Sequence, residues 1–559
     1  MKRNCLLPAL LSVMALTACT DDDNLDFHLP EAEYGTPNEW YYSGGKLGTT
    51  SIQSAYAYRQ ATSAVDEAGL SLNFQIGESL FEKDYNTSNG AFAGLGPVYV
   101  RRGCLYCHPN YGHGKRQTNT YRADQDGNGY LLVVYDKQTD AYIYSVAGMP
   151  QTKAVKPFKP QIDESKITID WKNYTDEWGN KFPDGETYSL IYPEVTIPAD
   201  AYYSPVTVKR NGQYVVIPDD QVASEIGVRL ESTIGIYGTG ITDAIPDDSI
   251  TAEWKRQSDY FNSVGKTDAL NPAYWNQSTG SWISYYVNNA GDKKQYVRRY
   301  TYAMSRGPIL DAAGANAIWN ITNVTRPDRP KLYTTTAWAD AMAADKEVIE
   351  KIKKDPTSPF WADTDDAISD KVKNLLSPGT NQFDNQWHNF SPEMSADKFY
   401  EFMVWHRGLA IPRARNLNDA RVQRGKELFT QMGCAACHRP SWTTGDDNYW
   451  TPNMIADKKL PRYKHQTIYP YSDMMQHKLY MINDIHGSWC RTTPLWGRGL
   501  AEVNGSGVER LHDCRARNEV EAIMWHAYDK RSHAYSSAEK FYNLPKADRD
   551  AVVMFLRSI

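Results

Sequence analysis

Two copies of one five-residue motif constrain this chain more than any other feature. Cys104-Leu105-Tyr106-Cys107-His108 and Cys434-Ala435-Ala436-Cys437-His438 both read C-x-x-C-H. Thiols three residues apart can each form a thioether to one of the two vinyl groups of a haem, and the histidine that follows then lies under the iron. Zinc is the first alternative. The two C-x-x-C knuckles of a structural zinc site stand roughly 15–20 residues apart, whereas these lie in opposite halves of the chain, each followed by histidine. A dithiol redox motif is the second alternative; it belongs beside a βαβ pattern, and neither motif has one. The sequence therefore predicts two haems c, held by Cys104, Cys107, Cys434 and Cys437, with His108 and His438 as proximal iron ligands.

The surroundings of the motifs repeat as well. Gly77-Glu78-Ser79-Leu80-Phe81 precedes the first and Gly425-Lys426-Glu427-Leu428-Phe429 the second. Each reads as the first helix of a small cytochrome c unit, with Leu and Phe on the haem side. Pro109 follows the first histidine and Arg439-Pro440 the second. Duplication of one haem domain accounts for the pattern.

The N-terminus reads as a targeting device. Lys2 and Arg3 precede the apolar run Leu6 to Leu16, and Leu16-Thr17-Ala18-Cys19 follows. A cysteine directly after small residues resembles the bacterial lipobox, which implies cleavage before Cys19 and a lipid on its thiol; an ordinary signal peptide with a chance cysteine is the other reading. The acidic run Asp21-Asp22-Asp23 resembles a lipoprotein surface-export signal or forms a solvated tether. The expected location is the outer membrane, facing periplasm or cell surface, with the membrane held through Cys19. Of eight cysteines, Cys490 and Cys514 then remain. In an oxidising compartment these are expected to pair, with two buried free thiols as the alternative. The formal net charge of -6 and pI near 6.1 show no basic nucleic-acid footprint. An aromatic content of 12% suits a chain that wraps flat apolar cofactors.

Along the chain, residues 1–18 are expected to form the signal peptide and 19–50 a tether. Residues 51–390 form an N-terminal haem domain with a β-rich insertion at about 130–217, and residues 391–559 a C-terminal cytochrome c-like domain. The insertion is read from β-branched and aromatic runs such as Tyr130 to Tyr135 and Thr187 to Tyr192. The fold class expected is mainly α, two cytochrome c-like haem domains with long loops.

Pro470-Tyr471-Ser472-Asp473-Met474-Met475-Gln476-His477, then Arg491 to Gly497, Leu511 to Arg517, and Glu521-Ala522-Ile523-Met524-Trp525-His526 form a series. With Gly235 to Pro246 upstream, it resembles the diheme oxidoreductase family, related to bacterial diheme cytochrome c peroxidases. Three departures stand out. Position 514, usually Gly in the family, is Cys. Position 490, usually not cysteine, is Cys too, and the joint change supports a Cys490–Cys514 bridge. Position 243 is Asp where the family usually has Glu; if that acid cleaves peroxide, the shorter side chain puts peroxidase activity in doubt. Asp243 is the candidate catalytic residue, with Glu225 and Glu231 near it in sequence. Related diheme enzymes hold calcium, and Asp124 to Gly129 resembles the start of a calcium loop. Tyr135 stands where that loop needs Glu, so a Gly-rich turn is the better reading.

Related peroxidases place a Met ligand where His526 falls, and His526 is expected as the distal ligand of the second haem. Met524 lies two residues earlier; at about 100° per residue the two cannot face one iron. For the first haem no distal ligand emerges among His388, His406, His465, His477, His486, His512 and His533, and His113 follows His108 too closely. His477 and His512, in family motifs, suit supporting or propionate-binding roles. Arg439, Arg491, Arg515 and Arg517 suit propionate pairing or surface ion pairs. The implied function is electron transfer with an unidentified redox partner protein, as a peroxidase-like oxidoreductase. The alternatives are a non-catalytic electron carrier and a haem-containing binding protein linked to iron acquisition.

Overall fold

The computed structural model describes residues 39–86, 94–125, 127–146, 148–287, 293–311, 313–387, 390–448, 450–484 and 486–559. The signal segment, the lipobox with Cys19, Asp126 of the calcium-like run and His388 lie outside them. Five helices carry the argument: α1 (Ser71–Glu82), α2 (Ala396–Arg407), α3 (Ala420–Gln431), α4 (Glu519–Trp525) and α5 (Lys546–Ser558). Eight strands matter beside them: β1 (Leu131–Asp136), β2 (Thr168–Tyr174), β3 (Leu190–Thr196), β4 (Thr207–Arg210), β5 (Gln213–Val216), β6 (Ile226–Glu231), β7 (Gln476–Lys478) and β8 (Trp489–Arg491).

Two helix pairs build the haem units. In α1, Phe74, Gly77, Leu80 and Phe81 are buried; in α3, Val422, Gly425, Leu428 and Phe429 are, at the same spacing. That i, i+3, i+6, i+7 spacing forms one apolar stripe. The first stripe packs on α2 and the second on α5. Each crossing is closed by its glycine. A methyl at Gly77 would strike the Glu401 carbonyl oxygen and Trp405 Cβ; one at Gly425 would strike the Ala551 carbonyl oxygen and Phe555 Cβ. Helix axes this close leave no room for a Cβ. Next to the glycines, Phe81 stacks on Trp405 at 4.3 Å, and Phe429 meets Phe555 at 5.3 Å. So α2, which falls beyond residue 390, packs on the first unit, across more than 300 residues of intervening chain.

The expectation of a mainly α fold is corrected. The described residues are 33% helical and 16% strand, and their strands form nine small sheets of two or three strands. The cause is the long segment between α1 and α2, where β-branched and aromatic runs alternate with turns. There β1 pairs antiparallel with β6, β2 with β3, and β4 with β5. Residues 174–182 of this segment lie on the second haem unit: Tyr174 stacks on Trp525 at 5.2 Å, Trp178 on Tyr542 at 4.3 Å, and the Arg549 guanidinium sits over Phe182. Asp124 of the calcium-like turn is near two cations, Arg122 and Lys153, each at 3.8 Å. Among the described residues no helix is long and apolar enough to cross a membrane.

The expected Cys490–Cys514 disulfide is also corrected, because both thiols are free. Cys490 Sγ donates to Asp484 Oδ2 at 2.6 Å. Cys514 Sγ donates to Ser232 Oγ at 3.1 Å and approaches the Gly114 carbonyl oxygen and His113 Nδ1. The two side chains thus point at different partners, and shared departure from the family pattern did not mean contact. Cys514 has φ 62°, the left-handed region that favours glycine, which gives a backbone reason for the Gly usual there.

Two outcomes follow. Gly425→Ala should cost about 3 kcal/mol by overpacking and reduce haem attachment at Cys434 and Cys437 while sparing the first motif; thermal unfolding and peptide-resolved haem content measure both. In the denatured, unreduced protein, Cys490 and Cys514 should each take up an alkylating reagent, and recovery of a Cys490–Cys514 linked peptide would contradict the structure.

Candidate haem-binding sites

Each C-x-x-C-H folds into a single tight turn. His108 N donates to the Cys104 carbonyl oxygen and His438 N to that of Cys434, both at 2.9 Å. A helical turn of this kind brings residues i, i+3 and i+4 to one side, so both thiols and the imidazole of each motif face the same way.

A strap then holds each imidazole. His438 Nδ1 donates to the Tyr471 carbonyl oxygen at 3.1 Å, and His108 Nδ1 to that of Ile234 at 2.9 Å. The straps are themselves pinned to the motif loops. Asp473 N donates to the Cys437 carbonyl oxygen at 2.9 Å, and Thr233 Oγ1 to that of Cys107 at 2.6 Å. A carbonyl can only accept, so each Nδ1 carries the proton and each Nε2 keeps its lone pair for a metal. Burial pushes both imidazoles down to about 4, so they are neutral, ligand-competent bases at neutral pH.

His526 is the residue opposite His438. It caps the C-terminus of α4, whose Asn518 N-cap side chain accepts from Glu521 N. Glu519, Ala522, Ile523 and His526 line a cavity, while Met524 is buried in the core cluster behind them. The 3.6-residue period decides between the two candidates: positions 522, 523 and 526 share a face that 524 does not. His526 Nδ1 donates to the Ala522 carbonyl oxygen at 2.7 Å, which again leaves Nε2 unprotonated. The His438 and His526 ring centres are 6.5 Å apart at 53°. Two imidazoles on opposite sides of one metal ion, with bonds of about 2.0–2.1 Å, have ring centres roughly 6.3–6.5 Å apart. The spacing fits one iron between them.

The cavity fits the remainder of a haem. Phe429, Leu479, Met481, Leu495, Trp496 and Leu556 line it together with Cys434, Cys437 and His438. Arg491 also lines it, is 4% exposed, and has Nε and Nη1 without hydrogen-bond partners. Burial without a paired carboxylate lowers its pKa to about 10. A buried guanidinium in that state calls for an anion, and a haem brings carboxylates. The other three arginines are already paired: Arg439 with Glu253, Arg515 with Asp513 and Arg517 with Glu521. Sequence motifs did not separate Arg491 from these; only the ion-pair pattern does.

The remaining candidates are dispersed. His477 pairs with Asp473 at 2.7 Å beside Cys437, and the His512 ring meets Tyr302 at 4.1 Å, tilted by 36°; both line the cavity, as do His113 and His533. His406 is buried in α2, its Nε2 3.2 Å from Thr239 Oγ1, and His465 is exposed against Asp446. The His108 ring meets Phe81 at 6.4 Å. Asp243 is buried and accepts from Arg407 at 3.1 Å and from Ile309 N at 3.1 Å. Burial raises its pKa against the opposing pull of Arg407 and Arg299. It lines a separate polar pocket with Asp247, Arg299, Asp447 and His465. Tyr300 stands between the two spaces: it lines the haem cavity, and its hydroxyl is 3.3 Å from Asp243 Oδ1. Glu225 lies elsewhere, paired with Arg210 at 2.8 Å in the β-rich segment. The Gly235–Pro246 stretch runs against the end of α2, where a Cβ at Gly240 would strike the Arg407 backbone.

No curated protein and no solved structure matches the chain. Residues 383–559, which contain α2 to α5, the second C-x-x-C-H and His526, match the family described as "Di-haem oxidoreductase, putative peroxidase". Over those residues, about a third of the chain, the sequence is similar to the di-haem oxidoreductase family.

Proposed function

We propose that the chain is an exported, lipid-anchored c-type protein with one haem at each C-x-x-C-H, working in electron transfer with a redox partner protein. The observation that carries the reading is the His438–His526 pair at 6.5 Å, both rings oriented by backbone carbonyls. Cys434 and Cys437 would hold the second haem covalently, and Cys104, Cys107 and His108 the first. A haem so held supplies one-electron transfer, and binds peroxide or oxygen only where its sixth position is open or weakly held.

The chain's own groups set what each site does. His438 and His526 would both hold the iron of the second group, and a group held by two imidazoles would supply electron relay. Arg491, buried and with Nε and Nη1 unpartnered, would offset carboxylate charge brought by the bound group. Tyr471 and Ala522 fix the tautomers that make both rings donors. Peroxidase-like chemistry would then fall to the first site, where His108 is held in the same way by Ile234. An acid–base role for Asp243 would act through Tyr300, since Arg407 and Ile309 N hold its carboxylate away from the cavity. The acylated residue would be Cys19.

The intact holoprotein should exceed the mature polypeptide by two haems, and Cys437→Ala should lose one of them. His526→Ala should change the oxidised spectrum and lower-spin content of one haem. His526→Met should raise that haem's midpoint potential, because thioether is a weaker donor than imidazole to ferric iron. An unchanged spectrum with both potentials unmoved in His526→Ala removes His526 from the iron.

A further inference from the structure

Beside the haem cavity lies a second set of metal-ligand side chains that the haem reading does not use. Asp484, from the loop after β7, Cys490, in β8, and His512, from the loop before α4, bring one ligand atom each within 4.8 Å of one another. They are 4%, 6% and 5% exposed. We propose that these three residues bind a divalent transition-metal ion, zinc by preference, independently of the two haems.

The donor set carries the assignment. A thiolate, an imidazole and a carboxylate form a borderline N/S/O set that suits zinc and disfavours calcium and magnesium, which take oxygen ligands. His512 Nε2 donates to the Arg491 carbonyl oxygen at 3.2 Å. That bond fixes the proton on Nε2 and makes Nδ1 the donor atom, the usual arrangement of a metal-bound histidine. Charge points the same way. Arg515 is engaged by Asp513 through contacts of 2.7–3.0 Å. Asp484, Asp513, Arg515 and a Cys490 thiolate together leave two negative charges in a buried place, and a divalent cation cancels them. Binding is an exchange: the ion bonds to Cys490 Sγ and the thiol proton leaves to solvent. The thiol and carboxylate, 2.6 Å apart as a hydrogen bond, would separate to roughly 3.6 Å around a tetrahedral ion. Cys490 and His512 both reach the cavity wall, so water from the cavity can take the fourth position. Three protein ligands and one water describe an open zinc site.

The test uses full-length holoprotein with both haems, stripped with a chelator and titrated with zinc chloride. Elemental analysis should find one zinc per chain beyond the haem iron, and zinc K-edge absorption should show one sulfur at about 2.3 Å. Cys490→Ala and Asp484→Asn should each weaken zinc binding at least tenfold while keeping two haems per chain, the check that they still fold. Cys514→Ala, whose thiol faces Ser232 instead, should bind zinc as the parent does. Absence of zinc binding in the parent, zinc without a sulfur neighbour, or equal binding by haem-replete Cys490→Ala each overturns the proposal.

Discussion

The second haem site depends on two backbone carbonyls. Tyr471 and Ala522 each accept a hydrogen bond from the Nδ1 of a buried histidine, and that decides what the rings can do. With Nδ1 protonated, Nε2 is a lone pair, and burial keeps both rings neutral. The two carbonyls come from different places, a strap residue with φ 52° and the middle of a short helix. Their joint action places two donor rings at the separation one iron requires. Remove either bond and the tautomer, the ring angle and the ligand strength are all released at once.

Around that pair, the fold supplies rigidity by close helix crossing. The glycines of α1 and α3 let α2 and α5 approach until only hydrogen fits between the backbones. The aromatic residues that follow, Phe81 and Phe429, lie beside His108 and His438 at 6.4 and 6.1 Å. The β-rich segment then braces the second unit from outside, through Tyr174, Trp178 and Phe182. Its contacts give the segment a place in the architecture that leaves the exposed β5 edge, with Tyr214 and Val216, as its free side.

Much of this was legible in the sequence where the signal is local. C-x-x-C-H is a five-residue turn, and the repeated G-x-x-L-F reports a helix face; both need only neighbours in the chain. His526 was legible as a position on a helix, because 524 and 526 cannot share a direction. What failed was long-range. That α2 closes the first unit depends on packing against α1 from a distant point in the chain. The mainly α expectation weighted the haem motifs over the turn-rich middle of the chain, whose short strands form many separate sheets. The Cys490–Cys514 bridge was inferred from counting, and counting cannot see that β8 aims one thiol at Asp484 while a left-handed residue aims the other at Ser232. The special standing of Arg491 was also hidden, since four arginines look alike until their carboxylates are located.

The central claim is that His438 and His526 share one iron. Low-temperature electron paramagnetic resonance of the fully oxidised holoprotein, integrated against total haem iron, tests it most directly. The prediction is that at least half of the iron shows the low-spin signal of two imidazole ligands. A bis-imidazole signal accounting for clearly less than half of the iron, with the second haem high-spin or thioether-bound, would contradict it.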